Sequence, residues 1–353
     1  MHQFSIASIP GDGIGQEVVS SALRVLNALG EVHGFTLKVT EFPWSCAHYL
    51  QHGRMMPEDG LETLKAFDAI LLGAVGFPGV PDHVSLWGLL IPIRRGFDQY
   101  VCLRPVRLLP GVPSPLALRH GEQIDYVVIR ENTEGEYSSL GGRIFEGTPR
   151  ETVTQVAVFT RTGTERIIRY AFDLARQQER RRVTSATKSN GIIHSMPFWD
   201  QVFAEVAQDY PDIPSEQMHV DALAAKLILE PERFGVVVGS NLFGDILTDL
   251  GAASVGSIGI GASANINPER RYPSCFEPVH GSAPDIAGRG VANPLGCIWS
   301  GALMLEHLGL PEAAQHLERV MVQTLQAGVK TRDLGGSANT LEVETALIHQ
   351  LRS

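Results

Sequence analysis

Positive charge is scarce in this chain. Its 353 residues carry 29 Lys and Arg against 39 Asp and Glu, a formal net charge of -10. That balance argues against general attraction to nucleic acid or to an anionic membrane surface, while leaving room for a locally basic pocket. Cysteine is sparse too: Cys46, Cys102, Cys275 and Cys297 are widely separated, with no CxxC or zinc-knuckle spacing. A reducing compartment is the simplest reading, and the cytoplasm the expected location. The stretch HQFSIASIPGDG lacks a basic flank followed by an apolar run, so no secretory leader is expected. No uninterrupted apolar run is long enough to span a bilayer. Charged residues make up only 19% against 44% hydrophobic ones, which argues against disorder and predicts a core large enough for two domains.

What is present alternates. Phe4 to Ile9 reads as a strand, PGDGIG as a turn, and VVSSALRVLNAL as a helix; FTLKVTEF and AILLGAVG read as further strands with a helical segment between them. This is an α/β pattern with a largely parallel sheet. Pro78, Pro81 and Pro92 are expected to break it. YVVIREN starts a second unit near residue 125, and TVTQVAVFT suggests a β arm inside the Gly- and Thr-rich 134–160 segment. RVTSATKSN and FGVVVGSN read as strands that each run into a helix, and the chain beyond Pro294 reads as mostly helical. An insertion of the middle portion into an α/β domain is as consistent with the pattern as two domains in tandem.

Several residues could carry chemistry. PGDGIG either presents backbone N–H groups to a phosphate or simply turns the chain tightly into a helix; its spacing is GxGxG rather than the dinucleotide GxGxxG. Arg94, Arg104, Arg107 and Arg130 lie in or beside extended apolar segments. Converging guanidinium groups would suit a di- or tricarboxylate, with ion pairing at a sheet edge as the plainer reading. Asp245 and Asp249 are four apart in SNLFGDILTDLG, which puts both on one helix face. Such a pair needs a cation or an arginine beside it, and oxygen-only ligands favour Mg²⁺ or Mn²⁺ over zinc. Asp221 is a candidate third carboxylate. Lys188 and Tyr137 are candidates for proton transfer, or ordinary structural residues. FEPVHGSAPDIAG, 276–288, holds too many small and rigid residues for a regular helix or strand.

Read together, PGDGIG, RENTEGEY, TKSN, SNLFGDILTDL and HGSAPDIAG occur in the order found in the isocitrate/3-isopropylmalate dehydrogenase family, which this chain resembles over essentially its whole length. DHVSLWGLLIPIRRGFDQYVCLRP looks most like the tartrate dehydrogenase/decarboxylase and D-malate dehydrogenase branch. The resemblance implies an α/β, isopropylmalate dehydrogenase-like two-domain fold with a mixed, largely parallel sheet, not a standard Rossmann fold. It implies a larger domain from 1–100 plus 255–353 and a smaller inserted domain at 101–254, whose arm at about 135–160 joins two subunits into a homodimer with shared active sites. Arg94, Arg104 and Arg130 match the substrate-carboxylate arginines. Asp221, Asp245 and Asp249 match metal ligands, with Asp221 coming from the second subunit. Tyr137 and Lys188 match the proton-transfer pair, and Asn190 matches a cofactor contact.

The implied chemistry is oxidation of a 2-hydroxy acid by NAD with Mg²⁺ or Mn²⁺, K⁺ being a further candidate, followed by loss of CO₂. Where isopropylmalate enzymes carry an acidic residue, this chain has Ser85, Trp87 and Leu90, which favours a compact C4 acid. D-malate would then give pyruvate and CO₂, L-tartrate oxaloglycolate, and meso-tartrate glycerate and CO₂. The alternatives are a 3-isopropylmalate dehydrogenase and an inactive nucleotide-binding scaffold. His280, Gly281, Ser282, Ala283, Asp285, Ile286 and Asn293 match cofactor-contacting positions. Asp285 can accept ribose hydroxyls and would repel a 2′-phosphate, which favours NAD over NADP. No nucleic-acid or membrane partner is expected.

Overall fold

The structure, a computed structural model, describes residues 2–118, 123–180 and 182–353. The chain begins β1 His2–Gly11, α1 Gly15–His33, β2 Phe35–Glu41, α2 Cys46–His52, α3 Gly60–Leu64 and β3 Ala69–Ala74. Next come α4 Asp82–Ser85, α5 Ile91–Gly96, β4 Val101–Arg107, β5 Asp125–Glu131, β6 Gly141–Ile144 and β7 Thr152–Gln155. The middle continues with α6 Arg161–Gln177, β8 Val183–Thr187, α7 Ser195–Ala207, β9 Ser215–His219, α8 Val220–Leu229, β10 Val236–Gly239 and α9 Asn241–Ser254. It ends with β11 Ala262–Ile266, β12 Ser274–Pro278, α10 Leu295–His307, α11 Pro311–Gln326 and α12 Thr340–Leu351.

Two compact units divide these elements. Unit 1 is Met1–Gln99, Leu103–Ile124 and Gly251–Ser353; unit 2 is Tyr100–Cys102 and Asp125–Leu250. In unit 1 the strand order is β2-β1-β3-β12-β11-β4. β1 runs parallel to β2 and β3, and β12 runs parallel to β3 but antiparallel to β11. α1 buries Val18, Ala22, Val25, Leu26 and Leu29, a 3.6-residue stripe. It stops at Gly34, whose φ of 73° is the left-handed cap that glycine adopts without strain. In unit 2 the order is β5-β10-β8-β9, all parallel, with α6 and α7 packed together beside them. β6 and β7 form a separate antiparallel ribbon that leaves Leu140, Ile144, Phe145 and Val153 exposed.

Five expectations change. Pro92, expected to break the α/β pattern, lies inside a helical run: Asp82–Gly96 is helical throughout, with one π turn at Leu86–Leu90 where the Ile91 N–H reaches the Leu86 carbonyl. The widened turn comes just ahead of a ring that would clash in a regular helix, and Pro92 sits in the first turn of α5, where no donor is needed. FEP, 276–278, belongs to β12, so only the rest of that stretch is irregular. β8 does not run into a helix at Lys188; a turn closed by Gly191 and Ile192 N–H groups on the Lys188 carbonyl intervenes. TVTQVAVFT is strand only over Thr152–Gln155. Leu103–Ile124, assigned above to the middle portion, counts with unit 1. Among the described residues no helix is long and apolar enough to cross a membrane.

Candidate active site

Arg130 projects from β5 in unit 2 and is 1% exposed. Its Nη2 and Nε donate to Asn241 Oδ1 at 2.6 and 3.1 Å, and its Nη1 donates to Asp245 Oδ1. Asn241, Asp245 and Asp249 are spaced i, i+4, i+8 on α9, so they form one stripe. The arginine demanded by the like-charged aspartates is therefore Arg130. Close approach of strand to helix is possible because position 244 is glycine: a Cβ there would stand 2.5 Å from Arg130 Cβ. Tyr137 packs its ring under the Arg130 guanidinium, 5.4 Å from the centroid, and its hydroxyl donates to Asp245 Oδ2 at 2.8 Å.

The loop that carries Tyr137 is tied down by carboxylates. Glu131, 2% exposed, accepts from the Thr133 N–H and Oγ1 and from the Glu134 N–H. Burial raises its carboxyl to about 7 against those donors. Glu136 accepts from Ser240 Oγ and the Leu242 N–H, and Asn241 Nδ2 donates to the Glu134 carbonyl. Loop and helix thus hold each other. Elsewhere in unit 2, Lys188 Nζ donates to Asp221 Oδ1 at 2.8 Å, and that bond holds the Asp221 carboxyl below its usual range. Asn190 is exposed on the turn beyond Lys188.

Among the described residues no three His, Cys, Asp or Glu side chains converge as a metal cage. The donor chemistry at Asp245 and Asp249 nevertheless fits a hard divalent cation: carboxylate oxygens only, on one face, with Asp245 31% exposed at its side chain.

Unit 1 holds the other arginines. Arg94 on α5 and Arg104 on β4 are 6% and 7% exposed. Arg94 Nη2 donates to Glu277 Oε1 at 2.8 Å, Asn265 Nδ2 donates to the same oxygen at 2.7 Å, and Arg104 Nε donates to Ser263 Oγ. Burial pushes the Glu277 carboxyl up, but Arg94, Asn265 and the charge of Arg104 together hold it below the ordinary carboxylate range. Ser85 is buried and donates to the Asp82 carbonyl; Trp87 lies under Arg95, 5.1 Å from its centroid; Leu90 packs on the core around Leu89 and Met55.

The segment after β12 fits an adenosine-bearing cofactor in one respect that sequence could not show. His280 Nδ1 lies 2.9 Å from the Gly281 carbonyl, whereas Nε2 is buried with no partner. Burial lowers the ring's basicity. Gly281 faces open space, Ala283 holds a left-handed φ of 38°, Asp285 is exposed and Ile286 half-buried. Asn293 donates to Asp333 and accepts from the Leu295 N–H.

PGDGIG does not present its N–H groups to a phosphate. The Asp12 N–H bonds the Ala74 carbonyl, the Ile14 N–H the Ser282 carbonyl, and the Gly15 N–H the Asp12 carbonyl. A Cβ at Gly13 would stand 2.0 Å from the Ser282 oxygen, so the glycine serves backbone packing. Buried Asp12 accepts from the Cys46 and Gly76 N–H groups. The sequence reading missed Asn241, Glu277 and Glu131. The first was visible as the start of the i, i+4, i+8 stripe, and Glu277 as an acid in an otherwise apolar strand.

The model of the isocitrate/isopropylmalate dehydrogenase family matches residues 5–349. The chain belongs to that family. Within it, the chain is 56% identical to a probable tartrate dehydrogenase/decarboxylase of Bacillus subtilis, over 100% of this chain and 99% of that protein. It is 54% identical to the decarboxylating D-malate dehydrogenase of Escherichia coli, over 98% of each. A tartrate dehydrogenase/decarboxylase of Pseudomonas putida is 56% identical over 98% of this chain and 97% of its own length. Among solved structures, isocitrate dehydrogenase from Methylococcus capsulatus superposes with a TM-score of 0.89 at 35% identity, covering 100% of both chains. The α/β, two-unit fold with its mixed, largely parallel sheet is that of this family. Membership implies an NAD- and divalent-metal-dependent mechanism.

Proposed function

We propose that this chain oxidises C4 2-hydroxy dicarboxylic acids as a tartrate dehydrogenase/decarboxylase and decarboxylating D-malate dehydrogenase. It takes L-tartrate to oxaloglycolate, D-malate to pyruvate and CO₂, and meso-tartrate to glycerate and CO₂. The observation that carries this reading is identity of 54–56% to relatives of those activities over essentially full length.

The residues supply the rest of the reading. Arg94, Arg104 and Arg130 hold the substrate carboxylates; Arg130 enters with its guanidinium already aimed by Asn241. Asp245 and Asp249, with the partner subunit's Asp221, hold Mg²⁺ or Mn²⁺, and K⁺ is a further candidate. When bound, NAD⁺ would supply the hydride acceptor and the dication Lewis acidity toward substrate oxygen. Lys188 serves the base that removes the alcohol proton. Tyr137 returns a proton to C3 after CO₂ leaves; its hydroxyl is directed at Asp245 Oδ2. Ser85, Trp87 and Leu90 restrict the pocket to short acids. His280, Gly281, Ser282, Ala283, Ile286, Asn293 and Asn190 contact NAD, and Asp285 accepts the adenosine ribose hydroxyls, excluding NADP.

A homodimer joined by the 135–160 arm completes each site, in the cytoplasm, with unit 2, Tyr100–Cys102 and Asp125–Leu250, as the inserted domain of each chain. The test is a panel of D-malate, L-tartrate, meso-tartrate and 3-isopropylmalate, each with NAD⁺ or NADP⁺ and with or without chelator. NADH from D-malate and L-tartrate, and CO₂ without net NADH from meso-tartrate, all lost on chelation, are expected; preference for isopropylmalate would sink the reading.

A further inference from the structure

Two histidines of unit 1 lie outside everything assigned above. His33 closes the last turn of α1, and His316 stands on α11. His33 Nε2 and His316 Nδ1 are 2.9 Å apart, with ring centroids 5.1 Å apart and planes tilted by 58°. An N–H···N bond of that length needs at least one neutral ring, and it aims a lone pair of each nitrogen along nearly the same line once its proton is elsewhere. If the donor ring moves its proton to its other nitrogen, both lone pairs face one point and no net proton is released from a neutral pair.

That point suits a particular class of ion. With metal–nitrogen bonds of about 2.0–2.1 Å in tetrahedral geometry, two ligating nitrogens stand roughly 3.3 to 3.4 Å apart. The rings therefore need to open by about half an ångström and to turn by roughly 35° each, so that the lone pairs leave the N···N line and meet at the ion. Both are half-buried and so reachable from solvent. Glu312 lies one turn before His316 on the same face of α11, while Arg319, three residues beyond, works against a cation. Imidazole pairs select Zn²⁺, Cu²⁺ or Ni²⁺ over the hard ions that suit Asp245 and Asp249.

We propose that His33 and His316 form a bidentate site for an imidazole-preferring transition-metal dication, which cross-links α1 to α11 with water completing the shell. The test is electron paramagnetic resonance of the full-length protein titrated with Cu²⁺, with Mg²⁺ in excess to occupy oxygen-only sites. A second close pair, His48 and His52 on α2, is removed from the comparison by working in a His52→Gln background. A two-nitrogen splitting pattern and a metal-dependent rise in melting temperature are expected. His33→Asn and His316→Asn should each abolish both, while each metal-free variant keeps a cooperative melt. A two-nitrogen pattern that survives in His316→Asn, or a parent protein with no nitrogen splitting, overturns the proposal.

Discussion

Each unit contains a buried arginine bonded to a carboxylate, and the two carboxylates differ in how open they are. In unit 1, Arg94 and Glu277 are both 8% exposed at their side chains, and Asn265 satisfies the same carboxylate oxygen. In unit 2, Arg130 is just as buried, but its partner Asp245 is 31% exposed and shared with Tyr137. The first pair is closed and permanent; the second has a carboxylate on an open helix face that can change partners. What differs is the carboxylate: buried and fixed beside Arg94 in unit 1, exposed and open to other partners beside Arg130 in unit 2.

The comparison breaks most readily at Glu277. Replacing it with Ala removes the buried carboxylate that Arg94 and Asn265 both bond and should cost about 3–5 kcal/mol in chemical denaturation. A loss below about 1 kcal/mol would mean that Arg94 finds water and that the unit 1 pair is no more permanent than the other.

Glu131 sharpens the contrast, since it is buried like Glu277 but held by N–H and O–H donors rather than by a guanidinium. Its folded carboxyl is raised from 4.5 to about 7, chiefly by burial. A raised acid favours the protonated folded state, so the stability it contributes is full below pH 4.5 and is lost as pH rises through about 7. The span is about 3 kcal/mol. Stability measured across that window should fall for the parent relative to Glu131→Gln, and parallel curves would exclude the effect.

Tyr137→Phe probes the exchangeable pair. Decarboxylation of D-malate needs a proton at carbon and should slow by about a hundredfold. Oxidation of L-tartrate needs none and should change far less. Equal losses, read as NADH from tartrate and pyruvate from malate, would reassign Tyr137 to holding Asp245.

Much of the fold was legible. The apolar stripe of α1, the buried runs of β3, β5 and β10, and the helical C-terminal third are written in local periodicity. Pro92 misled because a π turn lets the helical run pass it, and a π turn has no sequence signature of its own. At the candidate site, the aspartates four apart were readable, and so was their need for a positive neighbour. Which arginine answers that need was not, because Arg130 and Asp245 are 115 residues apart in the chain.

By itself, the sequence determined family, alternation of elements and the residue types available for chemistry, since these follow from local pattern and motif order. Only tertiary structure decided the partnerships: Arg94 with Glu277, Arg130 with Asn241 and Asp245, Glu131 with its own loop. It also decided that PGDGIG packs against Ser282 and Ala74 instead of cradling a phosphate. Those outcomes depend on which backbones approach closely enough to share donors, and that distance is fixed by packing rather than by neighbours in the chain.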